Sequence, residues 1–268
     1  MKICVLVVPY DSGRYRERMG CGPHYLLENA IHPLAARSGW EIRVEEVRVP
    51  DTFTAEINTA FTLCRLVSGR VRECIAEGWF PVVLSGNCIT AVGTICGCGC
   101  DRVVWFDAHG EATTPDTTTS GFLDGMGISV LTGACWKNLA ESIPGFQVIP
   151  GDRILLVGAR DLEDSERDVL CSAGVRQLGR GDNVKSVIPA DDGLYVHFDL
   201  DVLDPSEVVW NQWAPPQGLS VKDIQNAMRN IALRAKIKTI GFASCDPAMD
   251  PDGRAVQAVR SILESVLE

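Results

Sequence analysis

No stretch of this 268-residue sequence is apolar for long enough to span a bilayer, which takes roughly twenty consecutive residues. The N-terminal run KICVLVV (2–8) gives way at once to the charged segment DSGRYRER. No small-residue cleavage pattern follows it, so it is not read as a secretory signal, and a cytoplasmic protein is expected. Positive charge is also short. With 25 Lys and Arg against 35 Asp and Glu, the net charge of −10 argues against nucleic acid or an anionic membrane as a partner. Paired-cysteine motifs are missing too. The eleven cysteines, an odd number, contain no CxxC, and the cluster ICGCGC (95–100) follows a CxCxC spacing that zinc ribbons and thioredoxin-like motifs do not use. They are read as reduced thiols, mostly small buried hydrophobes. A thiol-redox role for Cys96–Cys100 is the minor alternative. There is no linker, low-complexity tract or internal repeat, so residues 1–268 are expected to form a single domain.

What is present is an alternation of short apolar runs with longer amphipathic ones. Strands are predicted at 2–8, 41–47, 81–86, 102–107, 153–159, 174–178, 194–200 and 237–243. Several are continuously apolar, the pattern of strands covered on both faces of a parallel sheet. Helices are predicted at about 23–36, 55–77, 89–95, 163–172, 220–234 and 254–267, the fifth opening on the acceptable N-cap Ser220. This is an α/β fold with about eight strands.

Ligands of such sheets sit beyond the carboxyl ends of the strands, so the polar residues just after each apolar run are the place to look. WFDAHGE (105–111) puts Asp107, His109 and Glu111 at alternate positions, hence on one side of an extended segment, and HFDLD (197–201) does the same with Asp199 and Asp201. Four carboxylates and an imidazole at one sheet edge repel one another unless cations intervene. Two divalent ions about 3.5–4 Å apart would remove that cost and activate a water.

At this point the sequence resembles the arginase and agmatinase, or ureohydrolase, family. Five ordered motifs carry the resemblance over nearly the whole chain: GCGP (20–23), SGNC (85–88), WFDAHGE with the loop TTPDTTTSGFLDGM (113–126), HFDLDVLDP (197–205) and ASCDPAMD (243–250). The resemblance implies a three-layer α/β/α fold, a mainly parallel sheet, two manganese ions, and hydrolysis of a guanidinium carbon to urea and an amine. By position it implies that Cys88, Asp107 and Asp199 hold one metal, and that His109, Glu111 and Asp201 hold the other, with Asp107 and Asp199 able to bridge. It places Thr113 and Ser120 on a substrate carboxylate and Glu163 on a substrate amino group.

The sequence departs from the family at four of these positions. Cys88 stands where the family has a histidine; a thiolate is softer and opens the site to zinc or iron. Short bacterial N-hydroxyarginine hydrolases, which this chain resembles in length, also have cysteine there. Glu111 replaces an aspartate, and Asp124 stands at the proton-shuttle histidine, either as a relay or as a loop hydrogen-bonding group. Ser244 replaces the glutamate that orients the guanidinium, a charge-assisted bond worth roughly 1.5–3 kcal/mol. Asp246 and Asp250 are candidate substitutes, His197 is expected to pack behind the site, and the two tryptophans of WNQWAPPQGLS (210–220) either wall the pocket or fill core. The expectation is a manganese-dependent amidinohydrolase acting on a small-molecule arginine derivative such as N-hydroxyarginine. A formimino-amino-acid hydrolase and an arginase-like pseudoenzyme with a binding role are the alternatives. A homo-oligomer stays open.

Overall fold

The computed structural model describes residues 1–50, 55–182, 184 and 191–267. Among the described residues ten strands follow in chain order: β1 (Lys2–Val8), β2 (Tyr10–Asp11), β3 (Arg14–Tyr15), β4 (Glu41–Glu46), β5 (Phe80–Ser85), β6 (Arg102–Phe106), β7 (Ile154–Val157), β8 (Arg176–Leu178), β9 (Asp191–Asp199) and β10 (Ala235–Ala243). Eight of them form one sheet in the order β4-β1-β5-β10-β9-β6-β7-β8. Every pairing in it is parallel.

Burial explains the pattern of the strands. Along β1, Cys4, Leu6 and Val8 join one apolar cluster, while Ile3, Val5 and Val7 join the cluster on the opposite face. Alternate residues of a strand point to opposite sides, so a strand covered twice is apolar throughout. One face is covered by the helices Glu56–Ala76 and Thr90–Cys98, the other by those at 22–38, Val221–Ala232 and Arg254–Leu267. The three layers and the eight-stranded sheet agree with the sequence reading. Among the described residues no helix is long and apolar enough to cross a membrane.

Local chemistry sets the helix ends. Ser220 accepts from the Asp223 amide at 3.1 Å while the Asp223 carboxylate accepts from the Ser220 amide at 3.0 Å, a reciprocal cap. The 22–38 helix was expected to be continuous from 23 to 36, but it contains a π-turn at Leu27–Ile31. Pro33 supplies no amide proton for the Asn29 carbonyl, which accepts instead from Arg260 of the last helix. Sequence reading missed the β2–β3 hairpin and the short helices Gly127–Leu131 and Lys137–Ala140, which are too brief to show a period. Cys96, Cys98 and Cys100 are buried in core, as small hydrophobes.

Candidate active site

The parallel sheet brings the ends of β5, β6, β9 and β10 to one edge, and the polar residues that follow them meet there. Asp107 and Asp199 are buried, and Cys88 lies between Asp199 and Ser244, its Sγ 3.5 Å from Asp199 Oδ2 and 3.4 Å from Ser244 Oγ. The His109 Nδ1 atom is 3.4 Å from Asp107 Oδ1 and 3.2 Å from Asp201 Oδ2. Two donor sets result, Cys88–Asp107–Asp199 and Asp107–His109–Asp201, each with its ligand atoms within 4.8 Å of one another. Asp107 belongs to both.

Glu111 belongs to neither set. Its backbone is left-handed (φ 52°), and its carbonyl accepts from the Ile128 amide at 2.8 Å. That conformation is strained for a residue with a β-carbon. The side chain borders the cavity of the site, and its Oε2 is buried without a hydrogen-bond partner.

Burial and mutual repulsion govern the charges. Burial and the neighbouring Asp201 push the Asp107 carboxyl up to about 6. Burial and nearby carboxylates push Asp199 and Glu111 well above the usual carboxylate range. Burial opposes a charge on His109, but Asp201 and Asp107 outweigh it and hold the imidazole protonated up to about 12. Burial likewise opposes the Asp201 charge, and the same imidazolium more than offsets it, so Asp201 is lowered. One cation thus already compensates part of this acidic cluster. An orphaned carboxylate oxygen and two donor sets sharing a carboxylate fit a pair of divalent cations. Binding them requires the His109 proton to leave.

Above the cluster lies a cavity of about 540 Å³, lined by Asp199, Asp201, Asp124, Ser244 and, at its mouth, Trp213. Asp124 is buried, accepting from Asn87 Nδ2 at 2.9 Å and the Ile89 amide at 2.8 Å, and burial pushes its carboxyl up to about 8. Thr113 and Ser120 also line the cavity. Thr113 Oγ1 donates to the Gly125 carbonyl at 2.8 Å, and Ser120 is exposed on the rim. Glu163 is not in the lining; it accepts from Thr119 at 2.7 Å, and Glu166, three residues on, lines the cavity in its stead. Of the two acids after Ser244, Asp246 faces the cavity. Asp250 is engaged elsewhere, accepting from Tyr25 Oη and the Ala255 amide, each at 2.9 Å. His197 is buried behind the cluster, bonded to Tyr195 Oη at 2.9 Å and against the Trp105 ring with centroids 4.1 Å apart. The two tryptophans divide: Trp210 is buried core, donating to the Ala243 carbonyl at 2.7 Å, while Trp213 is half exposed at the cavity.

Several lining or supporting residues were invisible in the sequence. Asn211 Nδ2 reaches Asp199 Oδ1 and Asp201 Oδ2 at 3.4 Å each and the Ser244 carbonyl at 3.3 Å, tying the ends of β9 and β10 together. Its position between two tryptophans just after the second acidic motif was the available signal. Asp11 and Arg18 come from around the β2–β3 hairpin, with Arg18 Nε 2.9 Å from Asp11 Oδ2, and no local pattern linked them to the site.

Comparison with known proteins agrees with this arrangement. A model of the arginase family matches residues 1–268. The arginase of Bacillus subtilis (strain 168) is 25% identical over 289 residues, covering 99% of this chain and 97% of that protein. The N(omega)-hydroxy-L-arginine amidinohydrolase of Streptomyces lavendulae is 30% identical over 257 residues, covering 93% and 85%. A crystal structure of Bacillus subtilis arginase superposes with a TM-score of 0.88 at 23% identity, covering 100% of this chain and 98% of the other. A formimidoylglutamase structure from the same species shares the fold at a TM-score of 0.75 and 17% identity, covering 99% and 86%. In fold, in motif order and over its full length, this chain belongs to the arginase family.

Proposed function

We propose that the protein is a binuclear metallohydrolase that cleaves a C–N bond of a guanidino or amidine compound, with an arginine derivative such as N-hydroxyarginine as its first substrate. The observation that carries this reading is the pair of donor sets sharing Asp107, with the unpartnered Glu111 Oε2 alongside. Cys88, Asp107 and Asp199 would hold one ion, and Asp107, His109 and Asp201, joined by Glu111, the other. Manganese is the metal the family resemblance suggests, and the Cys88 sulfur favours zinc or iron as competitors. When bound, such a pair would supply the Lewis acidity that activates a water for attack on the substrate's guanidine carbon.

The chain's own residues supply the rest. Asp124 lines the same cavity and, raised to about 8, holds a proton at neutral pH that we assign to the departing amine. Thr113 and Ser120 are assigned the substrate carboxylate, and the amino group, which the resemblance gives to Glu163, is assigned to Glu166, the acid of that segment that lines the cavity. Ser244, buried beside Cys88, offers a hydroxyl where the family resemblance puts a carboxylate. A cationic guanidinium loses its charge-assisted partner there, whereas an N-hydroxylated guanidine, a weaker base, loses less. The name of the Streptomyces lavendulae relative supports the same ordering. A formimino-amino acid is the second reading, favoured by the same serine.

Steady-state kinetics on arginine, N-hydroxyarginine and formiminoglutamate test this. N-hydroxyarginine is expected to exceed arginine in kcat/KM by about 10- to 100-fold, the equivalent of one charge-assisted hydrogen bond. Arginine as the better substrate would overturn the role given to Ser244, and formiminoglutamate as the best would select the second reading.

A further inference from the structure

Away from the cleft, toward the amino end of β1, two cysteines face each other across the sheet–helix interface. Cys4 lies in β1 and Cys74 in the last turn of the helix Glu56–Ala76, with their Sγ atoms 2.6 Å apart. Both are buried. The β1–β4 register sets Arg43 beside Cys4, and Arg43 Nη2 donates to Cys74 Sγ at 3.2 Å. The same guanidinium is held by Glu45, 3.1 Å from its Nε, by Glu77, and by the Trp79 ring 5.0 Å beneath it. Its side chain is 28% exposed, so the pair lies one layer below solvent.

Glu45 brings a third potential donor atom within 4.8 Å of the two sulfurs. Arg43, however, already occupies that carboxylate and places a fixed positive charge there, which repels a metal cation. The same charge favours a thiolate. Hydrogen bonding from Cys74 outweighs burial and, aided by Arg43, lowers Cys4 to about 7.

We propose that Cys4 and Cys74 form a redox-active dithiol that a hydroperoxide oxidises to a disulfide stapling the helix Glu56–Ala76 to β1. The Cys4 thiolate attacks the peroxide, the O–O bond breaks, and sulfenic acid forms on Cys4 as an alcohol or water leaves. Cys74 Sγ then attacks the sulfenic sulfur; the S–S bond forms, and the hydroxyl leaves with the Cys74 proton as water. Two thiols and one hydroperoxide become one disulfide, one alcohol or water, and one further water. Arg43 positions the pair and stabilises the thiolate.

The test is hydrogen peroxide titration of the full-length wild-type protein, followed by alkylation and peptide mapping without reductant. The Cys4–Cys74 linked peptide is expected at peroxide levels that leave the exposed Cys21 and Cys171 as free thiols. Arg43→Met should slow linkage about tenfold and Arg43→Lys should restore most of the rate. Linkage should raise Tm by on the order of 5 °C, reversibly with dithiothreitol, and not in Cys74→Ser. Recovery of Cys4 and Cys74 as unlinked thiols after Cys21 and Cys171 have oxidised would overturn the proposal, and the wild-type protein alone suffices to show it.

Discussion

Asp199→Asn is expected to lower kcat/KM by at least about a hundredfold while raising the stability of the metal-free protein by a few degrees in Tm. The two effects have one cause. Burial, Asp201 and Asp107 together push the Asp199 carboxyl well above its usual range, so its charge costs stability in the fold. An amide of the same shape keeps the acceptor that receives the Asp201 amide at 3.0 Å and can turn its NH₂ toward Cys88 Sγ, 3.5 Å from the present Oδ2. It forfeits the negative charge that a metal pair requires. Because the native penalty is that of an ionised carboxylate with a raised pKa, the gain should be present near pH 8 and vanish near pH 4. A residue retained for packing would behave oppositely, losing stability on substitution with little change in turnover. Thermal melts at the two pH values, alongside kinetics, separate the cases.

The second large effect concerns the metal itself. Metal-free protein should be more stable near pH 5 than near pH 8, and saturating manganese should raise Tm by on the order of 10 °C at pH 8 with little effect at pH 5. The folded value of Asp107, about 6, lies above the ordinary 3.8. Its contribution is therefore complete below 3.8 and is lost as pH rises through 6, and Asp124, raised from 3.8 to about 8, extends the loss upward. Cations are expected to reverse this by neutralising the ionised cluster, and to bind better at higher pH because His109 must give up its proton. A melting temperature that rises from pH 5 to 8 without metal, or is indifferent to manganese at pH 8, would remove the electrostatic basis of the site.

How far the sequence carried the reading depends on the range of each interaction. The strands were legible because burial on both faces makes them continuously apolar, as in β1. Asp107, His109, Asp199 and Asp201 were legible because alternate residues after a strand share a side. The left-handed backbone at Glu111 and its unpartnered Oε2 were not, since the Ile128 amide that bonds the Glu111 carbonyl and the groups around the carboxylate are set by tertiary packing. Asn211 reaches the site from a loop, and Asp11 and Arg18 from around the β2–β3 hairpin, and the approach of all three is fixed only by the folded sheet. The tryptophans at 210 and 213 are alike in sequence, yet one fills core and the other borders the cavity. The Cys4–Cys74 contact joins residues 70 positions apart and leaves no local trace.

The most direct measurement is metal content per chain by mass spectrometry after manganese loading and removal of free ion, read with hydrolysis of N-hydroxyarginine by the same sample. Two ions per chain with turnover are predicted. Fewer than about one ion per chain, with no hydrolysis of any guanidine or amidine, would contradict the account and leave an arginase-family fold serving another purpose.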